Sequence, residues 1–322
     1  IPDKAEVVDF EVSNNNAFIG YNNRKGQPGI IGFSLVTGEK RSYDITSEKD
    51  ALLLDISIDT TYKTVFATYK IQYSSSRNHL YVNQYNSPGA LERTYDFTEQ
   101  VERRNFNSAQ YIPTGEGSGL VAGTYGYNVS SSRRQYDYYD NYYNSYYYNY
   151  YSPYYLRQSE YNANEDKTPV SDGYFTALVK TGVAGNVKYY NFSNFNNAFK
   201  YITDVNALRV RTKPEKKSEK SDENEQTEDS GDKERTLNLR LLTHPIYINN
   251  GQFIIASEAY SPEYHTNTQM SYDYYGRAFP TSYQIFDGFR YSHAFVAGFD
   301  SNGMMAWNNG MEMRDILTKY LN

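Results

Sequence analysis

The sequence predicts an all-β fold of about four four-stranded antiparallel units, and three observations carry that expectation. The chain is strand-forming in composition: 17% of it is aromatic and 37 residues are tyrosine, a side chain suited to half-buried strands and wet surfaces. One order of parts recurs four times along the chain, which is the mark of a repeat architecture. Each repeat closes on an aromatic residue followed by Asp or Asn, at a similar offset from a turn glycine.

The first strands of the repeats are Val8–Ser13, Leu54–Asp59, Ala109–Pro113 and His244–Asn249. Polar turns follow them, such as Asn14-Asn15-Asn16 and Asn250-Gly251. The second strands, Ala17–Tyr21, Val65–Tyr69, Leu120–Tyr125 and Phe253–Tyr260, each end in tyrosine and mix small with β-branched residues, as expected of strands packed on both faces. The third strands are Gly29–Leu35, His79–Tyr85, Phe175–Thr181 and His293–Asp300. Gly38, Gly89, Gly185 and Gly303 then supply hairpin turns, where positive φ favours glycine. The fourth strands carry Tyr43-Asp44, Tyr95-Asp96, Tyr190-Asn191 and Trp307-Asn308.

With these repeats in place, the chain resembles β-propeller proteins of the WD-repeat-like or quinoprotein-like kind. The resemblance covers nearly all of the chain outside three insertions, and it is one of architecture. The Trp-Asp dipeptide of WD repeats is absent, and so is any quinoprotein cofactor motif. The style is also similar to exported propeller-like proteins of the Bacteroidetes, a resemblance that brings no activity with it. The implied fold is a single β-propeller-like domain over 1–322, incomplete or partly open. Ile1–Val8 and a helix-like tail at Met313–Leu321 are the elements that would seal it.

Length variation is one-sided. Asn22–Pro28, Lys70–Asn78, Gly126–Gly173 and Ser261–Ser292 all separate second from third strands, and Tyr201–Thr236 joins the third unit to the fourth. In a meandering blade both loop types emerge on one face, and loops held by a rigid scaffold are where recognition concentrates. The main insertions are therefore 126–173 (Tyr-rich), 201–236 (charged linker) and 261–292. The run from Tyr136 to Tyr155 reads either as an adhesive aromatic platform or as a cover over the scaffold. Its binding candidates are Tyr138, Tyr139, Tyr142, Tyr143, Tyr146 and Tyr147, with Arg134 and Arg157 placed for cation–π contacts. Lys213–Arg235 has no apolar residue and reads as a solvated linker. Its acids lack the spacing of a calcium loop, so no metal site is assigned.

Charge and motifs narrow the chemistry. A net charge of −6 argues against nucleic-acid partners, which select a basic field. No apolar run is long enough for a membrane-spanning helix. The chain has no cysteine, so disulfides, thiolate metal sites and Cys nucleophiles are excluded. The start at Ile1-Pro2 fits a mature exported product or a piece of a longer chain. The histidines are His79, His244, His265 and His293, and they form no zinc-hydrolase helix signature. His265, beside Glu263, is retained as a binding candidate. Gly115-Glu-Gly-Ser-Gly119 reads as a hairpin turn rather than a nucleophile elbow. Glu258, Asp273 and Asp287 are acids in or near the fourth unit, and no spacing fixes a reactive pair among them. No catalytic residue and no cofactor are assigned.

The reading this supports is a non-enzymatic exported interaction or scaffold module, in the periplasm, on the outer-membrane surface or outside the cell. It would bind a protein partner or surface glycan through the loop-bearing face. A carboxylate-dependent glycan-active enzyme and a structural subunit of a bacterial envelope assembly are the alternatives.

Overall fold

The computed structural model describes residue 2, residues 5–127 and residues 170–318, apart from 24–26, 47, 49, 62, 75–76, 87–88, 98–103, 201–207, 213–232, 238 and 273. These residues form the expected all-β arrangement, four main antiparallel sheets consistent with partly open propeller-like blades, together with one separate two-stranded sheet. The first blade is β1 (Glu6–Ser13), β2 (Asn16–Asn22), β3 (Pro28–Ser34) and β4 (Lys40–Asp44), paired in chain order. The second is β5 (Ala51–Asp59), β6 (Thr64–Ser74), β7 (Arg77–Tyr85) and β8 (Leu91–Asp96), again in chain order.

The third blade begins with β9 (Arg104–Gly115) and β10 (Ser118–Tyr127). After lending the short β11 (Val170–Ser171) to the fourth sheet, the chain adds β12 (Gly173–Lys180) to β10. The outer strand of this blade is split into β13 (Val183–Ala184) and β14 (Lys188–Asn191), both paired with β12. A separate hairpin follows, of β15 (Leu208–Thr212) and β16 (Lys233–Leu237). The fourth blade has a first strand in two pieces, β17 (Leu239–Thr243) and β18 (Tyr247–Asn249). It continues through β19 (Gln252–Tyr272) and β20 (Ala278–Phe299) to β21 (Met305–Thr318).

Alternation along each strand gives every blade two faces, and apolar residues on those faces join consecutive blades. Phe18, Ile30 and Tyr43 of blade one pack on Leu53, Ile56 and Val65 of blade two. Phe66, Val82 and Tyr95 of blade two pack on Phe106, Tyr111 and Phe175 of blade three. Leu120, Tyr174 and Phe192 of blade three pack on Phe253, Ile255 and Phe295 of blade four. The recurring tyrosines of the sequence are thus the residues each blade sends into the next core. They pair with Ile30, Val82 and Tyr174 on the neighbouring strand.

Polar staples repeat with the cores. Asn22 exchanges hydrogen bonds with the backbone of Leu53 (2.8 and 3.0 Å). In the register-equivalent position, Lys70 donates to the Phe106 carbonyl at 2.6 Å. Lys70 is buried, and desolvation lowers its pKa to about 8. These staples tie the end of one second strand to the start of the next first strand. The connections between second and third strands therefore emerge on one side, as the insertion pattern predicts.

Several expectations change. The tail at Met313–Leu321 is strand as far as Thr318, because β21 pairs with β20 out to Phe289↔Thr318. The unit-four first strand begins earlier than His244, at Leu239, and is broken between Thr243 and Tyr247, so that only Tyr247–Asn249 of the expected His244–Asn249 is strand. The Lys70–Asn78 insertion is mostly strand, with β6 and β7 paired to Ser74↔Arg77. Lys233–Arg235, read as linker, begin β16. β1 pairs with β2 in its own sheet and, among the described residues, with no strand of blade four.

Candidate functional site

The insertion 261–292 is a continuous hairpin extension of β19 and β20, and it stands out from the blade stack. In the blade body, Phe253–Ala259 pair with His293–Phe299 and are flanked by β17, β18 and β21. Beyond the body the pairing continues from Tyr264↔Phe286 to Tyr272↔Ala278, with no flanking strand among the described residues. The nine residues Tyr264–Tyr272 extend about 30 Å at the rise of a β-strand.

Two register shifts aim this arm, one at Ala259/Tyr260 and one at Glu263/Tyr264. Bulges of this kind bend and twist a strand pair. The second lies beside Gly288, whose φ of +146° and close approach to the Thr318 carbonyl leave no room for a Cβ. That is the point where β21 ends.

A bare two-stranded hairpin is marginal in water, and this one carries cross-strand reinforcement. Arg290 makes a bidentate ion pair with Glu263 at 2.7 and 2.9 Å. The rings of Tyr260, Phe289, Phe286 and Tyr264 form a contact series with centroids 5.1–5.5 Å apart. His265 Nδ1 lies 2.6 Å from Asp287 Oδ1, and Thr268 Oγ1 lies 2.9 Å from Ser282 Oγ. Such exposed pairs contribute little individually, on the order of 0–1 kcal/mol each, but they fix register.

At the end of the arm the chemistry turns aromatic. Tyr274 is 97% and Tyr275 78% exposed, and the adjoining strands add exposed Met270 and Tyr272 on one face and Phe279 on the other. Tyr274 and Tyr275 meet edge to face at 5.5 Å, and Arg277 lies 5.7 Å from the Tyr275 ring centre. The arrangement is a cross-strand-paired stem with an exposed aromatic tip, suited to stacking on a flat or apolar surface.

Of the residues singled out from sequence, His265 lies on the stem, paired with Asp287 rather than at the tip. Glu258 is in the blade body, 3.1 Å from His244 Nε2. Two of the acids considered for catalysis are therefore held by different histidines, and Asp273 lies outside the described residues. Tyr138, Tyr139, Tyr142, Tyr143, Tyr146, Tyr147, Arg134 and Arg157 lie outside them too. His293 is buried against Phe295, its Nε2 unpartnered among the described residues, and burial lowers its pKa to about 4. Sequence reasoning missed the tip, Tyr272 to Phe279, because the insertion was read as a loop. The alternating Thr266, Thr268, Met270 and Tyr272 were the available signal.

A second polar cluster lies between the first strands of blades one and two. Asp9 accepts from the Ile56 amide at 3.1 Å. Asp55, buried and hydrogen-bonded to Asp9 and to the Tyr111 backbone, has its pKa raised well above the carboxylate range by desolvation, reinforced by Asp9 and Glu11. Among the described residues no cluster of three or more acidic, His or Cys side chains has metal-holding geometry, and no helix is long and apolar enough to cross a membrane.

Fold and site together define an all-β protein of stacked, propeller-like blades with one projecting aromatic-tipped arm. No family model matches the chain, and no curated protein does. Among solved structures, the chain is similar to a PL25 polysaccharide lyase, an ulvan lyase bound to -[GlcA(1-4)Rha3S]-. The TM-score is 0.41 at 9% identity, over 92% of this chain and 53% of that one. This chain spans about half the length of that structure, and at this score the likeness carries no argument about activity.

Proposed function

We propose that this protein is an exported interaction module that grips a protein partner or surface glycan with the tip of the β19–β20 arm. The observation that carries the reading is an exposed aromatic cluster held at the end of a register-locked stem. Unbound, such a surface leaves several large apolar faces in water, and contiguous patches of that kind mark binding sites. Tyrosine and arginine are also the residues most enriched at interface hot spots. The blade stack supplies the rigid base, in the manner of an incomplete propeller of the WD-repeat-like or quinoprotein-like type. The polar, Tyr- and Asn-rich composition supports placing it in an envelope or extracellular setting.

The test replaces Tyr272, Tyr274 and Tyr275 with serine and measures binding to an array of envelope polysaccharides and to cross-linked surface proteins. Each aromatic lost is expected to cost about 1–2 kcal/mol of binding, so the triple variant should bind at least about a hundredfold more weakly. Its thermal midpoint should not move, since the tip is solvent-exposed. Binding equal to that of the parent protein would overturn the proposal.

A further inference from the structure

Blade one breaks a pattern that blades two and three keep. Two residues before its closing tyrosine, each of these blades carries a cation: Arg41, Arg93 and Lys188. Each cation pairs across the sheet with a third-strand residue, respectively Gly32, Gln84 and Thr176. In blade two Gln84 fills its place, accepting from the Tyr95 hydroxyl at 2.7 Å, and Arg93 lies against Gly182 in a turn of blade three. In blade three Thr176 donates to the Gly303 carbonyl at 2.7 Å and Lys188 to the Asn302 carbonyl at 3.1 Å, both in a turn of blade four. Side chains of the protein itself occupy both of these seams.

The first seam is left open. Gly32 has no side chain to fill it, and a cavity of about 210 Å³ remains between blades one and two. Phe18 and Tyr43, both nearly buried, form its floor. Their rings meet at 62° with centroids 6.0 Å apart, and a Cβ at Gly32 would lie 3.1–3.2 Å from them. Ser13, Asn16 and Ser34 add hydroxyl and amide groups to the walls. Arg41 borders the cavity from blade one, and Lys63, in the turn between β5 and β6, borders it from blade two. Arg41 lies 3.3 Å from Glu39, and both side chains are exposed. Such a pair contributes little by itself, so an incoming anion competes with it readily.

We propose that this cavity binds a small hydroxylated carboxylate, of the size of one sugar acid. Two cations converging on one cavity of a chain with net charge −6 select an oxyanion, and the planar guanidinium of Arg41 matches a carboxylate. Serine and asparagine exchange hydrogen bonds with hydroxyl groups, and the ring floor takes a C–H face. The volume lies below that of pockets for drug-sized ligands, which limits the occupant to a small molecule. The site is on the tight-turn side of the blades, opposite the connections between second and third strands, and is independent of the arm.

The test titrates the full chain with glucuronate at low ionic strength, followed by ligand-observed NMR, with glucose and inorganic phosphate as comparators. Glucuronate should bind at least about tenfold more tightly than either. Arg41→Gln and Lys63→Asn should each weaken it at least about tenfold. Both side chains are exposed, and asparagine tolerates the φ of +53° at Lys63, so near-ultraviolet circular dichroism should be unchanged. Gly32→Gln, which gives blade one the side chain of blade two, should abolish binding. The triple tyrosine variant of the arm should bind glucuronate as the parent does. Absence of glucuronate binding, or parent-like binding by both charge variants, would overturn the proposal. Glucose bound as tightly would show that the cations do not select, and phosphate bound as tightly would show that the walls and floor do not. Either result overturns it, as would loss of binding in the arm variant.

Discussion

Asp55 lies between the first strands of two blades with its carboxyl removed from water and hydrogen-bonded to Asp9. A bond between two carboxyl groups needs a proton, and low local polarity keeps it there. The folded pKa is raised above the unfolded one, so the folded state binds more protons in the window between them. Stability from this group is therefore greatest at acid pH and falls as pH rises through the ordinary carboxylate range toward the raised value. Asparagine at this position can donate to Asp9 without titrating. Asp55→Asn is expected to flatten the pH dependence of the thermal midpoint above the ordinary carboxylate range, with the variant gaining on the parent as pH rises. An unchanged pH profile would show that Asp55 ionises freely. Neither Asp9 nor Asp55 was distinctive in the sequence, since strand acids with alternating neighbours read as solvent-facing. Their meeting depends on how two blades stack.

Among the elements, the arm shows most clearly where the sequence was legible and where it was not. Both ends of the insertion were placed by the repeat, while its interior was hidden. Pro262 and Pro280 and the polar run of Thr, Asn and Gln resemble loop chemistry, yet among the described residues no strand pairs with the outer edges at these prolines, and a missing donor there costs little. The tail after Met311 misled for a related reason. Its mixed apolar and charged spacing suits a helix, but an edge strand with one solvent face tolerates the same spacing, and pairing with Phe289–His293 decides it. The backbone at Gly288 is the hinge on which the arm's direction depends. Gly288→Ala would place a methyl against the Thr318 carbonyl in a conformation that side chains disfavour. Faster amide exchange from Tyr264 to Phe286 is expected, with the blade cores unaffected. Protection unchanged in that segment would show that the bulge tolerates a side chain.

At the scale of the molecule, the four-unit repeat was readable because turn glycines and the closing tyrosines recur in phase. The split strands of blades three and four were not readable, because they are properties of stacking rather than of any one strand. The series of shared cores has a consequence for how the described blades come apart. Blades one and four each share one core, whereas blades two and three each share two. A stack held only by neighbour contacts behaves like a one-dimensional chain of coupled units. Within this chain, opening should then start in blades one and four and travel toward the middle. Amides of β2 and β3 should exchange sooner than those of β6, β7, β10 and β12, and equal protection across all four blades would show that the stack opens as one unit.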